Sequence, residues 1–232
     1  MYDNTDLTEK AKRIYSDFEE YFEELNSYFD QHSFIANEIV RAKDQYFQKT
    51  GKINQTDEYF SNRMNAFLLW FFYDWQLAEN SMSPHSYFIS ELEKKNISAA
   101  KSNDCYNKKQ IHSLFCFIRK KNSKLIIKDI VTGKKYRVYD DYSLIGYTKG
   151  SLFETRLFES EEDSYLFANY FIHHPYIVRK GIKKAVKKTK KEKKSMKSLL
   201  LKLHSFHTKW TKYRNIDIKS IYHFDKSVPE AK

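Results

Sequence analysis

The sequence predicts an α+β fold: an N-terminal helical bundle, a small antiparallel β-sheet or partly open barrel, and a long basic C-terminal helix. Apolar residues recur at helical spacing toward both ends, short β-rich segments occupy the middle, and only 5 glycines and 3 prolines interrupt 232 residues. Few glycines and prolines favour long regular elements. We expect an acidic helical domain (1–95), a linker (96–110), a small β-domain (111–160), a basic helical region (161–226) and a disordered tail (227–232).

Helices account for the acidic N-terminal part of the chain. Five apolar residues recur at spacings of three or four and form one face of a helix: Ile14, Phe18, Phe22, Leu25 and Phe29. The pattern breaks near His32, and a second helix is expected to end at Thr50–Gly51. A third helix begins near Thr56 and is apolar on nearly every side from Ala66 to Tyr73, which indicates a position in the core. Ser83–Pro84 begins a fourth helix.

Four short segments rich in β-branched and aromatic residues follow the linker: SLFCFIRK, KLIIKDIV, KYRVYD and SLFETRLF. Turn residues at Asn122–Ser123 and Thr132–Gly133 predict two hairpins between them. After Asp163 the helical period returns. SYLFANYFIHH is therefore expected to form a short helix, and one long helix is expected from Pro175 to about Tyr213.

Charge is distributed unevenly along the chain. Residues 1–100 hold 10 Lys/Arg and 17 Asp/Glu, whereas residues 101–232 hold 31 and 13, so the formal net charges are −7 and +18. Between Arg179 and Arg214 there are 15 basic residues and one acid, Glu192. Like charges one turn apart destabilise a helix, so this helix favours a polyanionic partner. Its candidate contacts are Lys183, Lys184, Lys187, Lys188, Lys190, Lys191, Lys193 and Lys194.

The β-segments supply four further candidate contacts, Arg119, Lys135, Arg137 and Arg156, interleaved with aromatic residues. Small barrels bind single-stranded nucleic acid with basic groups on the phosphates and flat rings on the bases. The leading hypothesis is therefore a non-enzymatic nucleic-acid-binding protein, for either DNA or RNA. An equally simple interpretation places the rings in the core and the lysines on an ordinary surface.

Other interpretations of the charge pattern remain open. The acidic and basic halves can pair with each other, with an acidic protein partner or in a homo-oligomer, which describes a protein-interaction adaptor. The basic helix can also adsorb to an anionic membrane surface. A solvated, solubilising helix needs no partner at all.

Several function classes lack their residue patterns. The only two cysteines are Cys105 and Cys116, and the sequence has neither a GxSxG elbow nor a phosphate-binding glycine loop. Asp140–Asp141 follows a β-segment without the Glu-x-Lys that a nuclease would add, and His204 and His207 lack a third metal ligand nearby. We expect no catalytic site, no metal and no cofactor. With no signal peptide and no long apolar run, a cytoplasmic location without a transmembrane segment is expected.

The segment FSNRMNAFLLWFFYDWQL, followed by SPHSYFISE, resembles a segment of uncharacterised bacterial proteins, some of which carry SEC-C zinc motifs. The residues of the resemblance are Asn62, Arg63, Trp70, Phe71 and Asp74. TKGSLFETRLF, then HHP and a helix, is similar to the continuation in the same group, so the resemblance spans about residues 58–180. The SEC-C cysteines are absent here, and the resemblance implies no zinc site and no activity.

Overall fold

The computed structural model describes residues 20, 23–25, 27–29, 33–94, 109–121, 124–139, 147–160, 164–168 and 170–224. Its architecture is α+β, with N-terminal helices, a closed five-stranded barrel and C-terminal helices, which confirms the predicted fold class. Most of the helix predicted before His32, most of the linker (96–110) and the tail (227–232) lie outside the described residues.

Three N-terminal helices follow the predicted pattern: α1 (Ser33–Thr50), α2 (Phe60–Asp74) and α3 (Pro84–Lys94). Gly51 ends α1 with a φ of +92°, a left-handed conformation that glycine adopts without strain. A side chain at this position would also approach the Thr208 methyl carbon to 3.0 Å. The apolar α2 is buried through Phe67, Trp70 and Phe71, as its all-round hydrophobicity predicts.

Six strands form the sheet: β1 (Gln110–Lys121), β2 (Lys124–Asp129), β3 (Lys135–Tyr139), β4 (Leu152–Glu159), β5 (Ser164–Phe167) and β6 (Ile172–His174). Their order is β1-β2-β3-β5-β4-β6, and β1 also pairs with β4, so the first five strands close into a barrel. β3 and β5 run parallel, whereas the other pairs are antiparallel. The four predicted β-segments and both hairpins are confirmed.

The first strand bends around the barrel and pairs with β4 along its first part and with β2 along its second part. Residues 110–116 pair with β4, and residues 115–121 pair with β2. A bulge between Phe117 and Arg119 shifts the register there, and bulges increase the local bend of a strand. A closed barrel of five strands with a shared first strand resembles the OB-fold, which is a five-stranded Greek-key barrel.

The helix predicted for SYLFANYFIHH is wrong. Ser164–Phe167 forms β5 and Ile172–His174 forms β6, so the sheet continues past residue 160. All four residues of β5 are buried. A short apolar run buried on both faces shows no alternation, and its periodicity alone cannot separate strand from helix.

The single long basic helix predicted from Pro175 is also wrong, because the structure divides it. A 3₁₀ turn (Tyr176–Val178) leads into α4 (Arg179–Lys191), and α5 (Met196–Lys212) and the short α6 (Ile218–Ile221) follow. Lys193 between α4 and α5 has a φ of +51°. No apolar residue occurs from Lys187 to Ser195, and lysines one turn apart repel each other, so packing does not carry the helix across.

Apolar residues pack in three clusters that position these elements. One fills the barrel with residues such as Phe115, Ile127 and Phe153. A second joins the outer face of β1 to α4 and α5 through Leu114 and Cys116. The third combines α1, α2 and α3 with residues of β4, β5 and β6, so the N-terminal helices share a core with the barrel. Within the described residues, every helix is too short or too polar to span a lipid bilayer.

Candidate nucleic-acid interface

The α4 helix divides cleanly into a buried and an exposed face. Ile182, Ala185 and Val186 are buried against the barrel and α5. The exposed face carries a lysine at nearly every turn, namely Lys180, Lys184, Lys187, Lys188, Lys190 and Lys191. Because the apolar side chains anchor one face of the helix, the lysines must all project from the remainder of its circumference.

Most lysines of α4 have no carboxylate partner in the described part of the chain. Leaving Lys188 aside, none of them makes an ion pair with a carboxylate of the described residues. Glu192 pairs with Lys194 at 2.7 Å, in the segment between the helices. Lys193 and Lys194 are exposed in that segment, and Lys183 is half-buried. A field of positive charge therefore covers α4 and the residues after it.

The outer face of β1, β2 and β3 carries a second set of cations. The register places Arg119 and Arg137 on either side of Ile126, and Lys128 directly opposite Lys135. These four basic side chains are exposed and have no carboxylate partner among the described residues. Like charges opposite each other destabilise a sheet. Neighbouring positive side chains therefore repel each other on this face, as they do on α4.

The two basic faces meet at the β2–β3 turn. Lys190 Nζ donates a hydrogen bond of 2.9 Å to the Val131 carbonyl oxygen, which holds the C-terminal end of α4 against this turn. Burial raises the pKa of the Cys116 thiol beneath, and the nearby charges of Lys183, Arg179 and Lys128 oppose that shift. The buried thiol, as predicted for Cys116, thus lies below cations of both faces.

A cleft of about 410 Å³ opens between α4 and α5 at their junction. Three lysines line it, Lys188, Lys194 and Lys202, together with Glu192. Ser195 begins α5 by accepting a hydrogen bond from the Ser198 backbone amide at 3.3 Å, an ordinary helix cap. The cleft extends the basic surface onto the start of α5.

One predicted contact residue is placed elsewhere and is corrected. Arg156 is 1% exposed, so it cannot contact an external polyanion. Its guanidinium donates to the Asp74 carboxylate and the Gln110 side-chain oxygen, and lies 4.9 Å from the centre of the Tyr73 ring. The sequence grouped Arg156 with the candidate contacts of the β-segments, but helices cover the outside of β4, and seven of its eight residues are buried.

A buried polar network joins the layers and was not foreseen from the sequence. Glu154, fully buried on β4, contacts His112 Nε2 at 2.8 Å and His204 Nε2 at 2.7 Å through one oxygen. His204 Nδ1 meets the Tyr46 hydroxyl at 2.8 Å. Asp74 lies beside His112 at 3.6 Å and accepts from Lys197 at 2.7 Å. The network thus contains side chains from α1, α2, β1, β4 and α5.

The titration of this network follows from burial and from its internal charges. Burial opposes ionisation of Glu154, but His204 and His112 outweigh it and lower the Glu154 pKa to about 2. Burial alone would depress the His112 pKa, yet the hydrogen bonds to Asp74 and Glu154 raise it. For His204, burial prevails and the pKa is lowered. With Glu154 fully buried, the network connects β4 to β1 and α5.

Three polar residues of α2 attach that helix to other elements. Asn62 exchanges two hydrogen bonds, of 2.6 and 2.8 Å, with the Phe171 backbone. Arg63 is 1% exposed and donates to the Thr50 and Gly51 carbonyl oxygens at 3.1 and 3.2 Å, where the C-terminal dipole of α1 favours a cation. Asp74 holds the buried Arg156.

Comparison with known proteins identifies no relative: no protein-family model, no curated protein and no solved structure matches the chain. Among the described residues, no three His, Cys, Asp or Glu side chains are arranged to hold a metal ion. His204 and His207 are both buried, and His207 packs edge-on against the Tyr59 and Trp210 rings. The continuous basic surface is thus the candidate site.

Proposed function

We propose that the protein binds nucleic acid without catalysing a reaction, through the exposed lysines of α4 and the basic outer face of β1, β2 and β3. The observation that supports this proposal most directly is the contact between Lys190 and Val131, which makes the two basic faces continuous. A surface of this kind neutralises phosphates and releases their counterions, which is the main source of sequence-independent affinity.

The barrel topology supports the same proposal. OB-fold barrels bind oligonucleotides and oligosaccharides on the face of their second and third strands. In this chain that face carries Lys128, Lys135 and Arg137. Topology alone does not define function, and the charge of this face and of the adjoining α4 is the stronger support.

The competing adaptor hypothesis rests on pairing between acidic and basic halves. In the described ranges, three ion pairs of this kind join the N-terminal part to α5 and the residues after it: Lys197–Asp74, Lys212–Asp57 and Arg214–Glu58. They involve none of the lysines of α4. Because these ion pairs use α5 and not α4, we favour an external partner for α4. The alternative partner is an acidic segment of a second copy of the chain.

Salt dependence tests the proposal. If five to eight lysines contact phosphates together, the affinity of the full chain for duplex DNA should fall with a log–log slope of about −4 to −7. Replacing Lys187, Lys188, Lys190, Lys191, Lys193 and Lys194 by Gln should flatten the slope by several units. Fluorescence anisotropy over a salt series measures both slopes, and far-ultraviolet circular dichroism should show that the variant stays folded.

Two outcomes would contradict the proposal. One is that the unmodified chain shows no binding to DNA or RNA at about 50 mM salt, where electrostatic affinity is strong. The other is that the six-lysine variant binds nucleic acid normally but loses self-association in sedimentation experiments. The adaptor hypothesis would then replace nucleic-acid binding.

A further inference from the structure

Two consecutive large side chains lie exposed at the N-terminal end of the basic helix. Tyr176 is 48% exposed and Ile177 is 60% exposed, in the 3₁₀ turn that leads into α4. Isolated exposed apolar residues are common on protein surfaces. These two are adjacent to each other and to the basic surface, so their position calls for an explanation.

A guanidinium covers part of the tyrosine ring. Arg179 Cζ lies 3.6 Å from the centre of the Tyr176 ring, the shortest of the cation–ring contacts in the described part of the chain. Such a contact is attractive in itself and holds the ring in a fixed orientation. The exposed Lys180 follows directly in sequence.

The barrel supports this arrangement through a glycine. Gly150 has a φ of +93°, and a Cβ at this position would lie 3.1 Å from an Arg179 guanidinium nitrogen and 3.5 Å from the Tyr176 ring. Its backbone amide donates to the Phe117 carbonyl oxygen at 2.9 Å. A bare backbone tied to β1 thus lies against the ring and the guanidinium.

We propose that Tyr176, Ile177 and Arg179, here called the Tyr176 platform, stack an unpaired base of a single-stranded nucleic acid whose phosphates lie along α4. This inference rests on the proposed function and adds the class of nucleic acid. Proteins that hold single strands combine a basic track with aromatic rings on which bases stack, and arginine contributes to such stacking.

The platform discriminates between single-stranded and duplex nucleic acid. In a duplex the bases are already stacked and paired, and taking one out costs a few kcal/mol. The lysines of α4 contact phosphates in either form, because phosphate contacts carry no information about the bases. Removing the ring should therefore weaken binding of single strands selectively.

The test uses the full chain with an oligothymidylate that carries one 2-aminopurine, and a duplex of the same length. Tyr176→Ala should weaken single-strand binding about 5- to 150-fold, corresponding to about 1–3 kcal/mol per stacked base, and leave duplex binding within about twofold. Tyr176→Phe should bind as the unmodified protein does. Quenching of 2-aminopurine fluorescence should accompany binding and disappear in Tyr176→Ala.

Two further variants keep the result interpretable. Tyr213→Ala removes another exposed tyrosine, 52% exposed beyond the end of α5, and should change neither affinity. Tyr176→Leu keeps an apolar side chain against Arg179 and Gly150 but lacks a ring, so it should lose single-strand affinity while retaining the melting temperature.

The outcomes separate this inference from the proposed function. Equal losses on both nucleic acids, no loss in Tyr176→Ala, or an equal effect of Tyr213→Ala would overturn the platform while duplex binding by α4 still stands. If the unmodified chain binds neither nucleic acid, both proposals are overturned.

Discussion

The two basic helices of this protein use their charges in different ways. On α5 and just beyond it, Lys197, Lys212 and Arg214 each reach a carboxylate of the N-terminal part. On α4, apart from Lys188, no lysine reaches a carboxylate of the described residues. The same residue type thus links elements of the fold in one helix and leaves a positive surface in the other.

This difference follows from what each helix packs against. The α5 helix lies between α1 and the barrel, with His204 and Thr208 buried among polar partners. The α4 helix buries only a narrow apolar stripe, and its remaining surface faces outward. A composition count treats all 15 basic residues of the region alike, but the ion pairs of Lys197, Lys212 and Arg214 distinguish them from the lysines of α4.

The largest effect is expected where the buried network is broken. Asp74→Ala removes the carboxylate that holds Arg156, His112 and Lys197, and leaves the buried guanidinium of Arg156 without a counter-charge. Loss of one partner of a buried pair costs about 3–5 kcal/mol, which urea unfolding would measure. As a matched control, Glu192→Ala removes an exposed carboxylate and should leave the unfolding midpoint unchanged. Equal midpoints for both variants would show that the network does not hold the layers together.

Stability should fall as the pH decreases below about 6.5, the ordinary pKa of histidine. Burial lowers the pKa of His174 to about 3 and that of His207 well below its usual range. The unfolded chain therefore binds protons that the native state does not bind. The free energy of unfolding falls by about 1.4 kcal/mol per pH unit for each such histidine. His112 acts at higher pH: its raised pKa stabilises the native state, and this contribution is complete below pH 6.5 and is lost as the pH rises through the raised pKa.

Unfolding free energies between pH 7 and pH 5 would test this expectation. His174→Gln should reduce the pH slope by about one proton, even if it lowers stability at every pH. A slope that is unchanged in this variant would contradict the assignment of His174 as a buried neutral group.

The smallest effects are expected from single surface charges. Lys212→Gln removes the pair with Asp57, 3.2 Å long, and should cost about 0.2–1 kcal/mol. Lys184→Gln with Lys187→Gln removes neighbouring like charges from α4 and should leave stability unchanged or slightly raised. Thermal unfolding compares the variants directly. A larger loss from the α4 pair would show that these lysines have a structural role.

Local patterns in the sequence predicted much of the fold. The end of α1 at Thr50–Gly51, the start of α3 at Pro84 and four strands came from caps, turns and alternation. The strands β5 and β6 did not, because a short apolar segment buried on both faces has no distinctive period. The division between α4 and α5 was not predicted, although no apolar residue occurs from Lys187 to Ser195.

The candidate site was predictable in part. Lysine density identified the basic segment that contains α4, and the mixture of basic and aromatic residues identified Arg119, Lys135 and Arg137. Strict alternation along β1 would have placed Arg119 on the face of Phe115, and the bulge between Phe117 and Arg119 prevents this. Arg156 was misplaced, because its burial depends on helices from a distant part of the sequence. The partners of Glu154 come from β1 and α5, far apart in the chain, and no local spacing brings them together.

The central claim is that the α4 lysines, rather than the net charge of the chain, bind nucleic acid. Two triple variants that lose the same charge distinguish a specific role of α4 from an effect of net charge. One variant changes Lys184, Lys187 and Lys191 on α4 to Gln. The other changes Lys209, Lys212 and Arg214 at the end of α5 to Gln. Titration of duplex DNA over a salt series should give a log–log slope shallower by about 2–3 for the α4 variant, at about 0.9 per phosphate contact, and no change for the α5 variant. Equal flattening by both variants, or none by the α4 variant, would contradict the claim.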